Sequence, residues 1–161
     1  RAWCWGYNGW GMLGDGTSTD RPRPVLVGGD LRFRAIAAGT DHSCAITTDG
    51  RAVCWGYNAS GELGTGNRTT VSTPTAVAST LTFATLDAGT NFTCGVATGG
   101  AGHCWGYGGV GNLGDGGPIS FGNTSVPTPT PVAGGHSFRA ISTGNQVACG
   151  VTTAGAGYCW G

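Results

Sequence analysis

The chain has 161 residues, with 33 glycines, six tryptophans, only 10% charged residues and a formal net charge of zero. Neutrality argues against a nucleic-acid-binding surface, which needs a basic excess to neutralise phosphate, and no apolar run reaches the length of a membrane-spanning helix. A make-up this rich in Gly, Thr and Val favours short strands and tight turns, and no window sets apolar residues at helical spacing.

Internal repetition organises the whole chain. Cys-Trp-Gly-Tyr begins at Cys4, Cys54 and Cys104, and Cys-Trp-Gly returns at Cys159. Each copy continues into a Gly-x-Leu-Gly turn (11–14, 61–64, 111–114) and then a polar loop ending at Pro24, Pro74 or Pro129. Val27, Val77 or Val132 follows, then Phe33, Phe83 or Phe138, then Gly39, Gly89 or Gly144, then Cys44, Cys94 or Cys149. The repeats are 4–53, 54–103 and 104–158, with 159–161 starting another; the third has five extra residues between Gly116 and Pro129. Repeats of this period stack as supersecondary units within one repeat domain.

In chain order the first copy predicts a strand near 24–27, with its counterpart at 74–77 in the next copy. A strand at 33–38 follows, then one at 43–47 after the Gly39-Thr40-Asp41 break, then one at 51–56 beyond the turn Thr48-Asp49-Gly50. Short strands between Gly-rich turns read as antiparallel sheet, and four strands in this period make a propeller blade. The predicted fold is all-β, with blades of four antiparallel strands and three repeats forming an open arc of a larger β-propeller. A β-solenoid is the rival architecture, but its coils are usually much shorter.

The cysteines carry geometry. Cys44 and Cys54, Cys94 and Cys104, and Cys149 and Cys159 are each ten residues apart across a hairpin turn. With the turn centred near Asp49, the members of a pair oppose each other on neighbouring strands, within disulfide reach. Closing so short a loop stabilises by about 2.5–3 kcal/mol in the chain-entropy model. Cys4 is left unpaired, its partner expected ten residues upstream. Zinc is the alternative, although zinc pairs come at closer spacing and no His recurs beside these cysteines. Disulfides imply an oxidising location, extracellular or periplasmic.

No catalytic constellation recurs, so the expectation is a non-enzyme without metal or cofactor. His42 alone occupies a repeated position, and Phe92 and Val147 replace it in the other copies, which marks packing or turn formation. His103 and His136 fall elsewhere. Asp15 and Asp115 lie in Gly-Asp-Gly, but Thr65 replaces them in the middle copy and the further acids of a calcium loop are missing, leaving a turn role. Trp5, Trp55, Trp105 and Trp160 follow the half-cystines and are assigned to the inter-blade core. Trp10 has no counterpart and is the best candidate for an exposed aromatic contact. Arg21, Arg23, Arg32 and Arg34 read as a solvated loop and strand face. The sequons at Asn58, Asn67, Asn91 and Asn123 fit solvent-exposed turns.

Cys-Trp-Gly-Tyr-Asn, Gly-x-Leu-Gly-x-Gly, the Pro and Val of the next strand, and Ala-Ala-Gly-Thr-Asp-His-Ser-Cys-Ala-Ile-Thr-Thr-Asp-Gly together closely resemble the repeats of the regulator of chromosome condensation family. The resemblance implies a propeller of about seven blades, and the cysteine pairs look like those of bacterial secreted members. The founding member's guanine-nucleotide exchange rests on a projecting wedge and a basic surface, and this sequence has a clear form of neither. A plant member's light-sensing Gly-Trp-Arg-His-Thr motif has no match at 39–43, 89–93 or 144–148. A secreted bacterial member inhibits an enzyme through one propeller face, a precedent for extracellular protein binding.

The expected function is a non-enzymatic extracellular protein-binding or scaffold module. Its contacts are sought on the divergent loops 15–23, 65–72 and 115–128, with Trp10, Asp15, Arg21, Arg68, Ile119 and Phe121 as candidate residues. The alternative is an accessory or inhibitory propeller of a larger secreted enzyme system; nucleotide exchange ranks third. The partner is an unidentified protein, with no nucleic acid and no membrane insertion. Three blades cannot close a ring, so further blades or self-association are expected to cover the ends.

Overall fold

Each hairpin is set by its turn. The Thr47 carbonyl accepts the Gly50 N–H at 2.9 Å, and the Arg51 carbonyl accepts the Thr47 N–H at 2.9 Å. Gly50, Gly100 and Gly155 close the equivalent turns at φ 89°, 91° and 86°, a region that costs a residue with a Cβ about 1–2 kcal/mol. The glycine of this turn therefore recurs for a backbone reason.

The structure is a computed structural model that describes residues 1–122 and 124–161. Its strands are β1 Trp3–Gly6, β2 Arg21–Leu26, β3 Phe33–Ala38, β4 His42–Thr47, β5 Ala52–Gly56, β6 Val71–Ala76 and β7 Phe83–Ala88. They continue as β8 Phe92–Ala97, β9 Gly102–Tyr107, β10 Ser125–Pro131, β11 Phe138–Thr143, β12 Ala148–Thr152 and β13 Gly157–Trp160. Two four-stranded antiparallel sheets, β3-β4-β5-β6 and β7-β8-β9-β10, stand between a two-stranded β1-β2 and a three-stranded β11-β12-β13. Blade and repeat are out of phase, because each sheet begins at the repeat's Phe and takes its outer strand from the following copy. The three sequence repeats thus give two complete blades, the outer half of a preceding one, and a following one that lacks its outer strand.

The outer strand begins earlier than the sequence suggests, at Arg21 and Val71, and Val27 and Val77 lie just beyond its end. Pro22 and Pro24 obscure its start, yet proline is tolerated on an edge strand because no ladder N–H is needed there. An irregularity between Cys4 and Gly6, repeated between Cys54 and Gly56, lets Gly6 pair Arg21 and Gly56 pair Val71.

The core sits within and between the sheets. Phe33 packs on Trp55, Phe83 on Trp105 and Phe138 on Trp160, with ring centroids 6.3, 5.8 and 5.9 Å apart. Leu63, Phe83, Phe92, Trp55 and Trp105 are fully buried, each contributing about 1.5–3 kcal/mol or more relative to exposure. Inner strands of adjacent sheets lie side by side. Arg34 on β3 donates to the Phe83 and Ala84 carbonyls of β7, and Asp87 on β7 accepts the Thr143 N–H of β11 at 2.6 Å.

Each tryptophan after a half-cystine reaches into the blade before it. Trp55 Nε1 donates to the Met12 carbonyl (2.7 Å), Trp105 to Glu62 (3.0 Å) and Trp160 to Asn112 (3.1 Å). The acceptor is always the variable residue of Gly-x-Leu-Gly. The last glycine of that turn, Gly14, Gly64 or Gly114, has φ 69°, 68° or 66°, and a Cβ there would meet the indole Nε1 at 2.6 Å in every copy. Trp55 and Trp105 occupy the assigned inter-blade core, whereas Trp5 is 61% exposed because no inner strands of its own blade cover it.

Candidate binding face

Antiparallel alternation sorts the connections onto two ends of the arc. Turns 39–41, 89–91 and 144–147 share one end with the long loops 7–20, 57–70 and 108–124; the hairpin turns at Gly50, Gly100 and Gly155 lie at the other. The three divergent loops are therefore brought to one face beside the inner-strand turns.

The first two loops are built around a buried asparagine. Asn8 accepts the Leu13 N–H at 2.9 Å and donates to the Thr17 and Thr19 carbonyls at 3.0 and 3.1 Å. Asn58 repeats the pattern, accepting from Leu63 N–H at 3.0 Å and donating to the Asn67 and Thr69 carbonyls at 3.1 Å. In the third copy the position is Gly108, and this is the copy with the insertion. Sequence reasoning missed this anchor, although the Asn after Cys-Trp-Gly-Tyr was its signal.

Burial also corrects the reading of the sequons. Asn58 is fully buried with its amide engaged, so it is not a solvent-exposed turn residue. Asn91 is half-buried, Asn67 is exposed, and Asn123 lies outside the described residues.

The candidate contact residues differ in how firmly they are held. Trp10 is 47% exposed and packs on Tyr57 of the next blade, with ring centroids 5.0 Å apart. Asp15 accepts the Thr17 N–H at 3.0 Å and pairs with Arg21 at 2.9 Å. Burial opposes ionisation of Asp15, but the Thr17 hydrogen bonds and Arg21 outweigh it and hold its carboxyl below the usual value. Asp15 and Arg21 thus shape the first loop. Arg68 is exposed on the second. On the third, Ile119 and Phe121 are 62% and 86% exposed, and the loop base is tied by Ser120 N–H to the Gly109 carbonyl at 3.0 Å. Among the described residues of the divergent stretches 15–23, 65–72 and 115–128, Ile119 and Phe121 are the large apolar side chains that stand mostly exposed.

Beneath this face lies an inter-blade polar cluster. Thr93 donates to the Glu62 carbonyl at 2.8 Å, so its hydroxyl proton is used and His42 Nε2 donates to Thr93 Oγ1 at 2.8 Å. His42 is fully buried with Nδ1 unpartnered, and burial lowers its pKa to about 4. It is a neutral packing residue in the slot that Phe92 fills one blade on. Glu62 is also buried; its Oε2 accepts the Ser60 N–H at 2.7 Å while Oε1 has no partner. Burial, with a smaller contribution from Asp41, raises its pKa to about 7.

Three disulfides staple the second and third strands: Cys44–Cys54, Cys94–Cys104 and Cys149–Cys159, each with Cα atoms 4.1 Å apart. That separation is the short spacing of directly opposed, non-hydrogen-bonded residues, and the pairing leaves no paired thiolates for the zinc alternative. Cys4 is free and half-buried, and burial pushes its thiol up. Among the described residues, no three His, Cys, Asp or Glu side chains cluster to hold a metal ion, and no helix is long and apolar enough to cross a membrane.

Two family models, both described as the regulator of chromosome condensation (RCC1) repeat, match this chain, one at residues 1–46 and 49–96 and the other at 33–62. No curated protein matches it. Among solved structures, human WBSCR16 is similar at 20% identity and a TM-score of 0.85, over 99% of this chain and 42% of that one. Yeast RCC1 (Prp20), in its complex with Kap60, is similar at 24% identity and a TM-score of 0.79, over 99% of this chain and 39% of that one. The ectodomain of the Physcomitrella patens receptor kinase CR4 gives 23% identity and a TM-score of 0.57, over 85% of this chain and 32% of that one. The chain thus spans about two fifths of the length of the first two, whose fold it shares.

Proposed function

This chain belongs to the regulator of chromosome condensation (RCC1) repeat family, and from that premise we propose that it is a non-enzymatic protein-binding or scaffold module of an extracellular or periplasmic space. The observation that carries the reading is the gathering of three divergent loops on one face of a stapled scaffold. Loops on a rigid repeat framework diverge cheaply while the blade core is kept. Of the three, the loop 115–128 offers the contact: Ile119 and Phe121 stand apolar and exposed where the Asn anchor gives way to Gly108. Such anchors gain most when a partner pocket desolvates them.

The oxidising location is supported by three disulfides, of which two are fully buried. Zero net charge supports protein over nucleic-acid recognition, and together with the disulfides it ranks nucleotide exchange third. The alternative, an accessory or inhibitory propeller of a larger secreted enzyme system, would use the same face and differs in what it contacts.

The test is crosslinking capture from the source compartment with the parent chain, with Ile119→Ser/Phe121→Ser, and with Arg32→Ser/Arg51→Ser at the opposite end. A partner captured by the parent and the opposite-end variant, but lost from the loop variant with its disulfides intact, supports the reading. Capture that survives the loop changes overturns it.

A further inference from the structure

Trp10 is an aromatic side chain that the repeat does not require. The same position is Ser60 in the second copy and Val110 in the third. Ser60 is half-buried although both sheets beside it are complete, so the position belongs to the blade surface. Trp10 is held there by Tyr57 of the next blade, with ring centroids 5.0 Å apart and planes tilted by 56°.

The indole forms one wall of an open groove of about 550 Å³, a size within the range of small-ligand clefts. The rest of the lining is glycine backbone and the hydroxyl residues Thr17, Ser18, Thr19, Thr70 and Ser72. Among the described residues that line it, none carries a charge. All of them come from loop 7–20, loop 57–70 and strand β6.

The walls are fixed before any ligand arrives. Gly16 N–H donates to the Ser72 carbonyl at 3.0 Å and ties the loop to β6. Gly11 lies so close to Ser72 that a Cβ on it would fall 2.7 Å from Ser72 Cα. The Asn8 amide gathers the Thr17 and Thr19 carbonyls on one side, and the Asn58 amide holds the Thr69 carbonyl, next to Thr70, on the other. The Thr17 hydroxyl is spent within the loop, donating to Asp15 at 2.7 Å. Ser18, Thr19 and Thr70 stand exposed at the rim. A cleft already shaped in this way spares a ligand much of the cost of ordering it.

The lining selects a ligand by chemistry. An ionic group would lose water here and gain no opposite charge. An apolar side chain gains most in an enclosed pocket, and this groove is open with a single aromatic wall. A pyranose ring meets both requirements. Its C–H groups make one face apolar enough to lie on an indole, and its hydroxyls donate and accept as Ser and Thr hydroxyls do. In an open groove its remaining hydroxyls stay hydrated.

We propose that the groove between loop 7–20 and β6 binds a neutral oligosaccharide. Trp10 stacks on one pyranose ring, and the hydroxyls of Ser18, Thr19, Thr70 and Ser72 hydrogen-bond along the chain of sugars. Tyr57 is a positioning residue that sets the indole against the second blade. The site shares a face with Ile119 and Phe121 but uses neither, so it is independent of the protein contact drawn from them.

The test mixes the 161-residue chain with cello-, laminari-, manno-, xylo- and malto-oligosaccharides, an oligogalacturonate as the acidic control, and an uncharged peptide of similar length. Saturation transfer from protein to ligand protons and calorimetric affinity are read for the parent chain, Trp10→Ala, Trp10→Phe, Thr70→Val and, at the opposite end, Arg32→Ser/Arg51→Ser. A non-reducing disulfide map checks that each variant is folded. Expected is transfer to the ring C–H protons of at least one neutral oligosaccharide. Its affinity should fall about tenfold or more in Trp10→Ala, recover largely in Trp10→Phe, weaken several-fold in Thr70→Val and stay unchanged in the opposite-end variant. No transfer to any neutral oligosaccharide, binding that favours the oligogalacturonate or the peptide, or parent-like affinity in both Trp10→Ala and Thr70→Val overturns the proposal.

Discussion

Trp55 Nε1 donates a 2.7 Å hydrogen bond to the carbonyl of Met12, 43 residues earlier and in the preceding blade. The same bond links Trp105 to Glu62 and Trp160 to Asn112, so one side chain per repeat fixes the angle between neighbouring sheets. Trp55→Ala leaves a large cavity and removes one of two hydrogen bonds to the Met12 carbonyl, the other coming from Ser43 Oγ at 2.9 Å, and is expected to lower stability by about 3–5 kcal/mol. Trp5→Ala, at the uncovered end, should stay within about 0.5 kcal/mol. Urea midpoints of the two variants, compared at equal slope, check the contrast.

Gly64→Ala tests the close approach that this bond requires. The substituted residue would sit at φ 68° with its Cβ 2.6 Å from the Trp105 indole nitrogen, so backbone strain and overlap together should cost about 2–4 kcal/mol. At Gly29 φ is 81° with nothing within 4 Å of a Cβ, and alanine there should cost only the strain of about 1–2 kcal/mol. Equal losses at the two positions would remove the indole contact from the explanation.

Glu62 and His42 make opposite contributions to pH dependence. Glu62 is raised from 4.5 to about 7 in the fold. Below 4.5 it is protonated in both states; as pH rises from there to about 7 the unfolded carboxyl ionises first, so stability falls by on the order of 3 kcal/mol. His42 is lowered from 6.5 to about 4. Its contribution is full above 6.5 and is lost as pH falls toward 4, by a similar amount. Glu62→Gln should therefore leave a stability that rises from about pH 4 to 6.5 and then levels, with a gain over the parent chain near pH 8. His42→Phe should leave the decline toward neutral pH. Thermal midpoints between about pH 4 and 8 for both variants check the pair; unchanged profiles contradict the burial of both groups.

Reduction should be ordered. The Cys44–Cys54 and Cys94–Cys104 bonds are fully buried, while both sulfur-bearing residues of Cys149–Cys159 are exposed. Limiting reductant with timed alkylation should therefore release Cys149 and Cys159 well before the others. Replacing Cys94 and Cys104 by Ala should cost about 2–3 kcal/mol, read from the denaturant midpoint. Simultaneous release of all three pairs would contradict the difference in exposure.

Much of this architecture is legible because the repeat repeats its physics. Ten residues across a fixed hairpin turn must oppose two cysteines, and a Phe, a Trp and a Leu at constant spacing must share one core. The outer strand was less legible, since Pro22 and Pro24 look like loop residues until the edge position explains them. The Asn8 and Asn58 anchors were hidden because a polar residue in a loop gives no sign of burial. Asn58 consequently looked like a glycan acceptor. Trp5 stands uncovered because its blade contributes only β1 and β2 to these residues. Within the loop face, the residue types of Asp15 and Arg21 suggested contact, whereas their mutual pairing shows they organise the loop.

The most direct measurement is a non-reducing mass-spectrometric cysteine map of the dilute, freshly folded chain. The account predicts bonds 44–54, 94–104 and 149–159, with Cys4 the one alkylated cysteine. Reduced cysteines throughout, bound zinc, or any other pairing of the six would contradict the stapled blades and the oxidising location drawn from them.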